Sequence, residues 1–381
     1  MMAGKNIALF FDGTWNKPKT NTNVFEGYDQ IAQNTSQSNG RQVTKYIKGV
    51  GVERFTWIRG GAFGKGVQAN ILEGYKFLAK HYEPGDNIYL FGFSRGSYTA
   101  RSLGGMIVRY GLSNNTAELS ADQVFQYYTR RKLARQISVL KRIDAAEHTP
   151  AERQIMAHSK RVNIQFMGLW DTVGMIGVPK GDRFGLNTKH KFHHQNVSTL
   201  YKNIAHALSI NENRKLYKPT LFFKYAPDNL SPEEKKRELD RITPSIEQRW
   251  FAGSHGCVGG SKGNTYEKIP LNWVFTQAQA AGLLIQKPVD LSDASPSGRI
   301  EDSFASGIIG VIRNLGRRHH RPIGRGVIKG DNFTLTCLCE VIDKSVFQRC
   351  AADTSYRPKN LVDWANAKGI DLSNTSGDKP V

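Results

Sequence analysis

The sequence predicts an α/β fold built on a doubly wound, mostly parallel sheet with helical insertions. Three observations carry that expectation. Short apolar runs without alternation, the mark of strands buried on both faces, recur along the chain. Segments with helical periodicity separate them. Turn residues punctuate the boundaries, and this alternation of strand and helix is what a parallel sheet requires. The 381 residues, 39% hydrophobic and 23% charged, suffice for one domain over 1–381 whose core needs neither disulfides nor structural metal.

Ile7 to Phe11 is the first buried strand. Val67, Ile71, Tyr75, Leu78 and Tyr82 recur at helical spacing and predict an amphipathic helix, ended by the turn Glu83-Pro84-Gly85-Asp86. Asn87 to Phe91 is again strand-like, and Ser97 to Tyr110 reads as a helix. Further strands are expected from Val162 to Leu169 and from Gln248 to Ala252. His206, beside Ala205, Ala207 and Leu208, reads as a packing histidine in a helix, while His81 near a helix end and His158 in a charged stretch lack a strand-edge address. The stretches 112–160 and 286–329 are expected as cap or surface insertions. A third insertion, Asp182 to Asn203, holds His190, His193 and His194, but its irregular loop lacks a fitting acidic partner for a metal.

No metal or other cofactor is expected. Cys257, Cys337, Cys339 and Cys350 form no CxxC pair and read as buried core thiols. The apolar run ending at Asp12 is too short for a signal-peptide core, and no run approaches a membrane span, so synthesis in the cytoplasm and any export without a cleaved leader are expected. The formal charge is +20, from 53 basic and 33 acidic residues. Such a field attracts polyanions, either nucleic acid or an anionic lipid surface. One acid-free stretch, Ser303 to Gly330, carries Arg313, Arg317, Arg318 and Arg321 beside the apolar run Phe304 to Ile312, and those four arginines are the expected contacts to an anionic membrane. A second basic stretch runs from Arg130 to Arg142.

Gly92-Phe93-Ser94-Arg95-Gly96 follows a strand and opens a helix, which is the setting a nucleophile elbow demands. A serine there sits in strained backbone, and its glycine neighbours let main chain approach without a Cβ clash. The serine needs a base, and the base an orienting carboxylate. Working residues of a doubly wound sheet lie just past the carboxyl ends of strands. Asp171 ends the strand from Val162, and His255 leaves the strand from Gln248 into a glycine-rich loop. The expected relay is therefore Ser94, Asp171 and His255. The backbone N–H of Arg95 would supply one oxyanion donor, and that of Gly13 or Thr14, after the first strand, the other.

These segments together resemble the α/β hydrolases that share the catalytic domain of the first class of type VI secretion phospholipase effectors, formerly a domain-of-unknown-function family of bacteria and fungi. The resemblance rests on Phe10 to Asn16, Thr22-Asn23-Val24, Pro84-Gly85-Asp86, Gly92 to Arg101, Leu169 to Gly174, Trp250 to His255, Val258-Gly259-Gly260 and Tyr356 to Leu361. It implies an α/β-hydrolase-like fold, the same three residues, and phospholipase or esterase activity without a cofactor. It also implies a phospholipid or other ester substrate, with an immunity protein or a secretion apparatus as further partners. Nucleic acid is not an expected partner, because the elbow is intact. Two departures stand out: Gly256-Cys257 replaces an acidic residue usual after the histidine, and Asn211-Glu212 replaces an Asp-Glu pair. A hydrolase of small soluble esters, or a basic surface-binding protein on a silenced scaffold, are the rival readings.

Overall fold

Thirteen strands are defined among the described residues of the computed structural model, namely 4–31, 41–51, 60–114, 116–130, 132–174, 197–227, 231–242, 246–260, 263, 265–302, 318–324, 327–329 and 333–381. They are β1 (Asn6–Phe11), β2 (Gln42–Ile47), β3 (Asn87–Phe93), β4 (Leu112–Ser113), β5 (Ser159–Lys160), β6 (Phe166–Trp170) and β7 (Ile204–Ser209). There follow β8 (Phe223–Pro227), β9 (Ile246–Phe251), β10 (Val327–Lys329), β11 (Phe333–Cys337), β12 (Glu340–Ile342) and β13 (Lys379–Pro380). Eight of them form one sheet in the order β13-β12-β9-β7-β6-β3-β1-β2. Every neighbouring pair is parallel except β12 with β13. This is the predicted doubly wound sheet.

Alternation along the central strands explains why their apolar runs are continuous. Ile7, Leu9 and Phe11 face one core together with Ile88, Leu90, Met167 and Leu169. Ala8 and Phe10 face the other, with Tyr89, Phe91, Phe166 and Trp170. Helices α1 (Asn23–Gln30), α2 (Gly60–His81) and α3 (Arg95–Tyr110) follow β1, β2 and β3. The predicted helix ending near Tyr82 is α2, and the predicted strand from Asn87 runs on to Phe93, so that Ser94 follows it directly.

Two expectations are corrected. His206 lies in strand β7, not in a helix, paired between β6 and β9 with its ring fully buried. The alanine-leucine composition favours a helix, but six consecutive buried positions flanked on both sides by parallel partners override it. The glycine-rich segment at His255 is the short helix α8 (His255–Gly259), buried throughout, where an open loop was expected. Of the cysteines, Cys257 and Cys350 are buried as expected, whereas Cys337 and Cys339 are partly exposed.

The insertion at 112–160 is closed at its neck by β4 pairing with β5, and holds the helices α4 (Ala121–Thr129), α5 (Ile137–Leu140) and α6 (Pro150–His158). It packs on α2 and α3, beginning at the end of α3 remote from Ser94, a helix of 16 residues and so roughly 24 Å long. Of the insertion at 286–329, the run Phe304 to Ile312 with Arg313 and Arg317 lies outside the described residues, as do His190, His193 and His194. Among the described residues no cluster of His, Cys, Asp and Glu could hold a metal, and no helix is long and apolar enough to cross a membrane.

Candidate active site

Ser94 stands between β3 and α3 with φ 58° and ψ −120°, a conformation L-residues avoid unless the fold imposes it. Two glycines make the turn possible. A Cβ on Gly92 would fall 2.6 Å from the nitrogen of Ser97, and one on Gly96 only 2.0 Å from the carbonyl oxygen of Phe11. The N–H of Ser94 donates to the carbonyl of Trp170 at 2.9 Å, which locks the turn to the end of β6.

Asp171 follows β6 directly, also at positive φ (43°), and is wholly buried. His255 opens α8, past the end of β9. The three predicted residues meet across the carboxyl edge of the sheet. His255 Nε2 lies 2.8 Å from Ser94 Oγ, and Nδ1 lies 2.5 Å from Asp171 Oδ2. An ionised carboxylate only accepts, so Nδ1 carries the imidazole hydrogen and Nε2 is left to accept from the serine hydroxyl. Phe93 and Tyr217 flank the imidazole, with ring centroids 4.7 and 5.0 Å away.

Burial lowers the basicity of His255, while the hydrogen bond and charge of Asp171 and the charge of Glu212 oppose it; the balance is a pKa below the usual imidazole value. The neutral ring, the form a general base needs, is thereby favoured. Burial alone would raise the pKa of Asp171, but Arg321 and His255 outweigh it and hold the carboxyl well below the usual range.

Arg321 accounts for much of that. It is fully buried, with Nη1 2.6 Å from Asp171 Oδ1 and Nη2 2.9 Å from Oδ2. It is therefore not available as a membrane contact, because it is committed to a buried carboxylate that needs a cation. Of the other arginines expected to contact a membrane, Arg318 is exposed and pairs with Asp302.

The loop after β1 is pinned by Asp12. This buried carboxylate accepts from Tyr46 at 2.7 Å, from Thr22 at 2.9 Å and from the N–H of Gly13 at 2.7 Å. Desolvation nevertheless raises its pKa to about 6 against these hydrogen bonds. Gly13 is thus removed as an oxyanion donor, its N–H being spent on its neighbour's side chain. Between Asp12 and Asn16, the N–H of Thr14 alone has no acceptor among the described residues. Gly13 still abuts Ser94, since a Cβ there would lie 3.3 Å from Ser94 Cβ.

Neither the pairing of Arg321 with Asp171 nor the support from Glu212 is legible in the sequence, where Arg321 reads as one of a basic stretch. Glu212 Oε2 accepts the backbone N–H of His255 at 3.3 Å, while both its oxygens bind Arg214 at 2.8 Å. Asn211 Oδ1 accepts from the N–H of Gly253 at 2.8 Å and from the hydroxyl of Tyr356 at 2.6 Å. Asn211, which departs from the Asp-Glu pattern, and Glu212, which keeps it, thus brace the turn that carries His255.

A positive-φ serine at the carboxyl edge of a mostly parallel eight-stranded sheet, facing a histidine and a buried aspartate, defines an α/β-hydrolase-like fold. The chain belongs to the family described as T6SS, phospholipase effector Tle1-like, catalytic domain, whose model matches residues 5–277. An uncharacterized protein of Saccharomyces cerevisiae is 29% identical over 239 residues, covering 58% of this chain and 33% of that protein. Similar solved structures include an uncharacterized protein from Pseudomonas aeruginosa, at 16% identity and a TM-score of 0.41, covering 75% of this chain and 47% of the other. Another is the Tle1 effector bound to the VgrG spike of the type 6 secretion system, at 16% identity and a TM-score of 0.36, covering 68% and 51%. The chain spans a third of the length of the yeast relative and about half of each of these two structures.

Proposed function

We propose that the chain is a serine hydrolase that cleaves carboxylic esters of amphipathic lipids, phospholipids above all, through an acyl-enzyme on Ser94. The observation that carries this reading is the contact of His255 with Ser94 on one side and Asp171 on the other, at 2.8 and 2.5 Å. As Ser94 Oγ attacks the ester carbonyl, its proton passes to His255 Nε2. Asp171 holds the tautomer that makes this possible and stabilises the imidazolium. The negative oxygen of the tetrahedral intermediate receives the backbone N–H groups of Arg95 and Thr14. The imidazolium then protonates the departing alcohol, and water, activated by the same nitrogen, releases the acid.

An amphipathic substrate is supported by the loops around the relay. Trp15 and Leu216, 57% and 52% exposed, are two of the few large apolar side chains left in solvent. Trp15 lies under the Arg95 guanidinium, 5.7 Å from its ring, and Leu216 precedes the Tyr217 that packs on His255. Exposed Lys17 and Lys19 follow the first, and Lys215 and Lys218 flank the second. Apolar tips set among cations suit an anionic lipid interface. On this reading delivery through a secretion apparatus accords with the effector role in the family's description.

Lipid analysis of anionic phospholipid vesicles after incubation with wild type or Ser94→Ala tests the proposal. Lysolipid and fatty acid are expected from the wild type, with release at least ~10³-fold slower in the variant. Turnover of short-chain esters without any on vesicles would instead support a soluble-ester hydrolase.

A further inference from the structure

We propose that Arg321 is a positioning residue for the Ser94–His255–Asp171 relay, clamping both oxygens of Asp171 so that the carboxylate holds one rotation and only part of its charge bears on the histidine. This rests on the serine-hydrolase reading above. A carboxylate offers about four acceptor positions, and those of Asp171 are filled. Oδ1 accepts from Arg321 Nη1 at 2.6 Å and from the N–H of Ser209 at 3.0 Å. Oδ2 accepts from Arg321 Nη2 at 2.9 Å and faces His255 Nδ1 at 2.5 Å.

The guanidinium is itself held. Nη1 also donates to the carbonyl of Ser209 at 3.0 Å, at the end of β7, and Nη2 to that of Tyr217 at 2.5 Å. Asn360 Nδ2 donates to the carbonyl of Arg321 at 2.9 Å from the helix Lys359–Lys368. A single bond from Ser209 would let the carboxylate pivot, whereas a planar fork does not. Lysine, a point charge on a flexible stem, could neutralise Asp171 but not fix its plane.

The second consequence is electrostatic. His255 is faced by Ser94, by Asp171, by the Tyr217 ring, by Glu212 with its partner Arg214, and beyond Asp171 by Arg321. Arg321 is the cation that opposes the pull of Asp171 on the imidazole proton. Without it the imidazolium is favoured, so His255 must lose its proton at higher pH before it can act as a base. The acidic limb of the pH–rate profile then moves upward.

The test uses the full chain, a soluble p-nitrophenyl ester and a fluorophosphonate probe on wild type, Arg321→Met, Arg321→Lys and Ser94→Ala. In Arg321→Met, kcat should fall on the order of 10²-fold with KM within about twofold, since Arg321 does not reach the substrate. The acidic limb of kcat/KM should rise by about one pH unit. Arg321→Lys should restore the limb but not kcat, because it returns the charge without the fork. If Arg321→Met does not fold, Arg321→Lys decides alone, and wild-type kcat in it overturns the proposal. So does a folded Arg321→Met with a wild-type pH profile. Labelling or turnover that survives in Ser94→Ala defeats the serine reading itself, whatever the arginine variants do.

Discussion

Gly96 lies against the main chain of Phe11, so closely that a Cβ there would stand 2.0 Å from its carbonyl oxygen and 2.6 Å from that of Asp12. Both obstacles are backbone and neither can swing aside. Gly96→Ala should therefore push the elbow away from the loop after β1, at an overpacking cost of about 1–3 kcal/mol. Fluorophosphonate labelling should slow and the melting temperature fall. An unchanged melting temperature would mean that the elbow and β1 move apart more easily than their contact suggests.

Asp171→Asn should cut turnover by up to ~10⁴, as in relays that lose the right tautomer. It should also destabilise the fold, because Arg321, buried beside it, would be left without a counter-charge, a loss of about 3–5 kcal/mol. The double variant Asp171→Asn/Arg321→Met should regain much of that stability while remaining inactive. Chemical denaturation of the three proteins checks this, and a double variant no more stable than the single one would show the ion pair to be unimportant for folding.

Asp12 predicts a pH effect on stability. Burial raises its folded pKa from 3.8 to about 6. Between these values the folded chain keeps a proton that the unfolded chain has lost, so the group favours folding below pH 4 and that advantage disappears as pH rises toward 6. At ~1.4 kcal/mol per pH unit, the difference comes to about 3 kcal/mol. Unfolding free energies of wild type and Asp12→Asn, compared from pH 4 to 7, should diverge across that window and run parallel above it. Parallel curves throughout would mean Asp12 ionises as freely in the fold as outside it.

The exposed tips predict a preference for interfaces. Replacing Trp15 and Leu216 by serine should lower hydrolysis of anionic vesicles at least ~10²-fold relative to a soluble ester, since each of the two tips gives up apolar burial of about 1.5–3 kcal/mol. High salt should narrow the gap by screening the neighbouring lysines. Equal losses on both substrates would assign the tips to the architecture of the site.

The parts of this molecule that were legible in its sequence are those with a local cause. Buried central strands declare themselves by unbroken apolar runs, and Ser94, Asp171 and His255 by standing where such strands end. β7 was misread because alanine and leucine suit a helix, and only its pairing with β6 and β9 decides otherwise. Asn211 can be noticed as a departure from a pattern, but the bond of its neighbour Glu212 to the backbone of His255 cannot. Arg321 looked like one more arginine in a basic stretch. Its partner lies 150 positions away in the sequence, and no periodicity links residues that meet only in the folded chain.

Arg321 also sits downstream of every other residue of the relay. Ser94, Asp171 and His255 all leave the ribosome before it does. Until it follows, Asp171 has no cation to be buried with, and its charge favours water over the interior. A nascent or prematurely terminated chain is thus left with slack machinery.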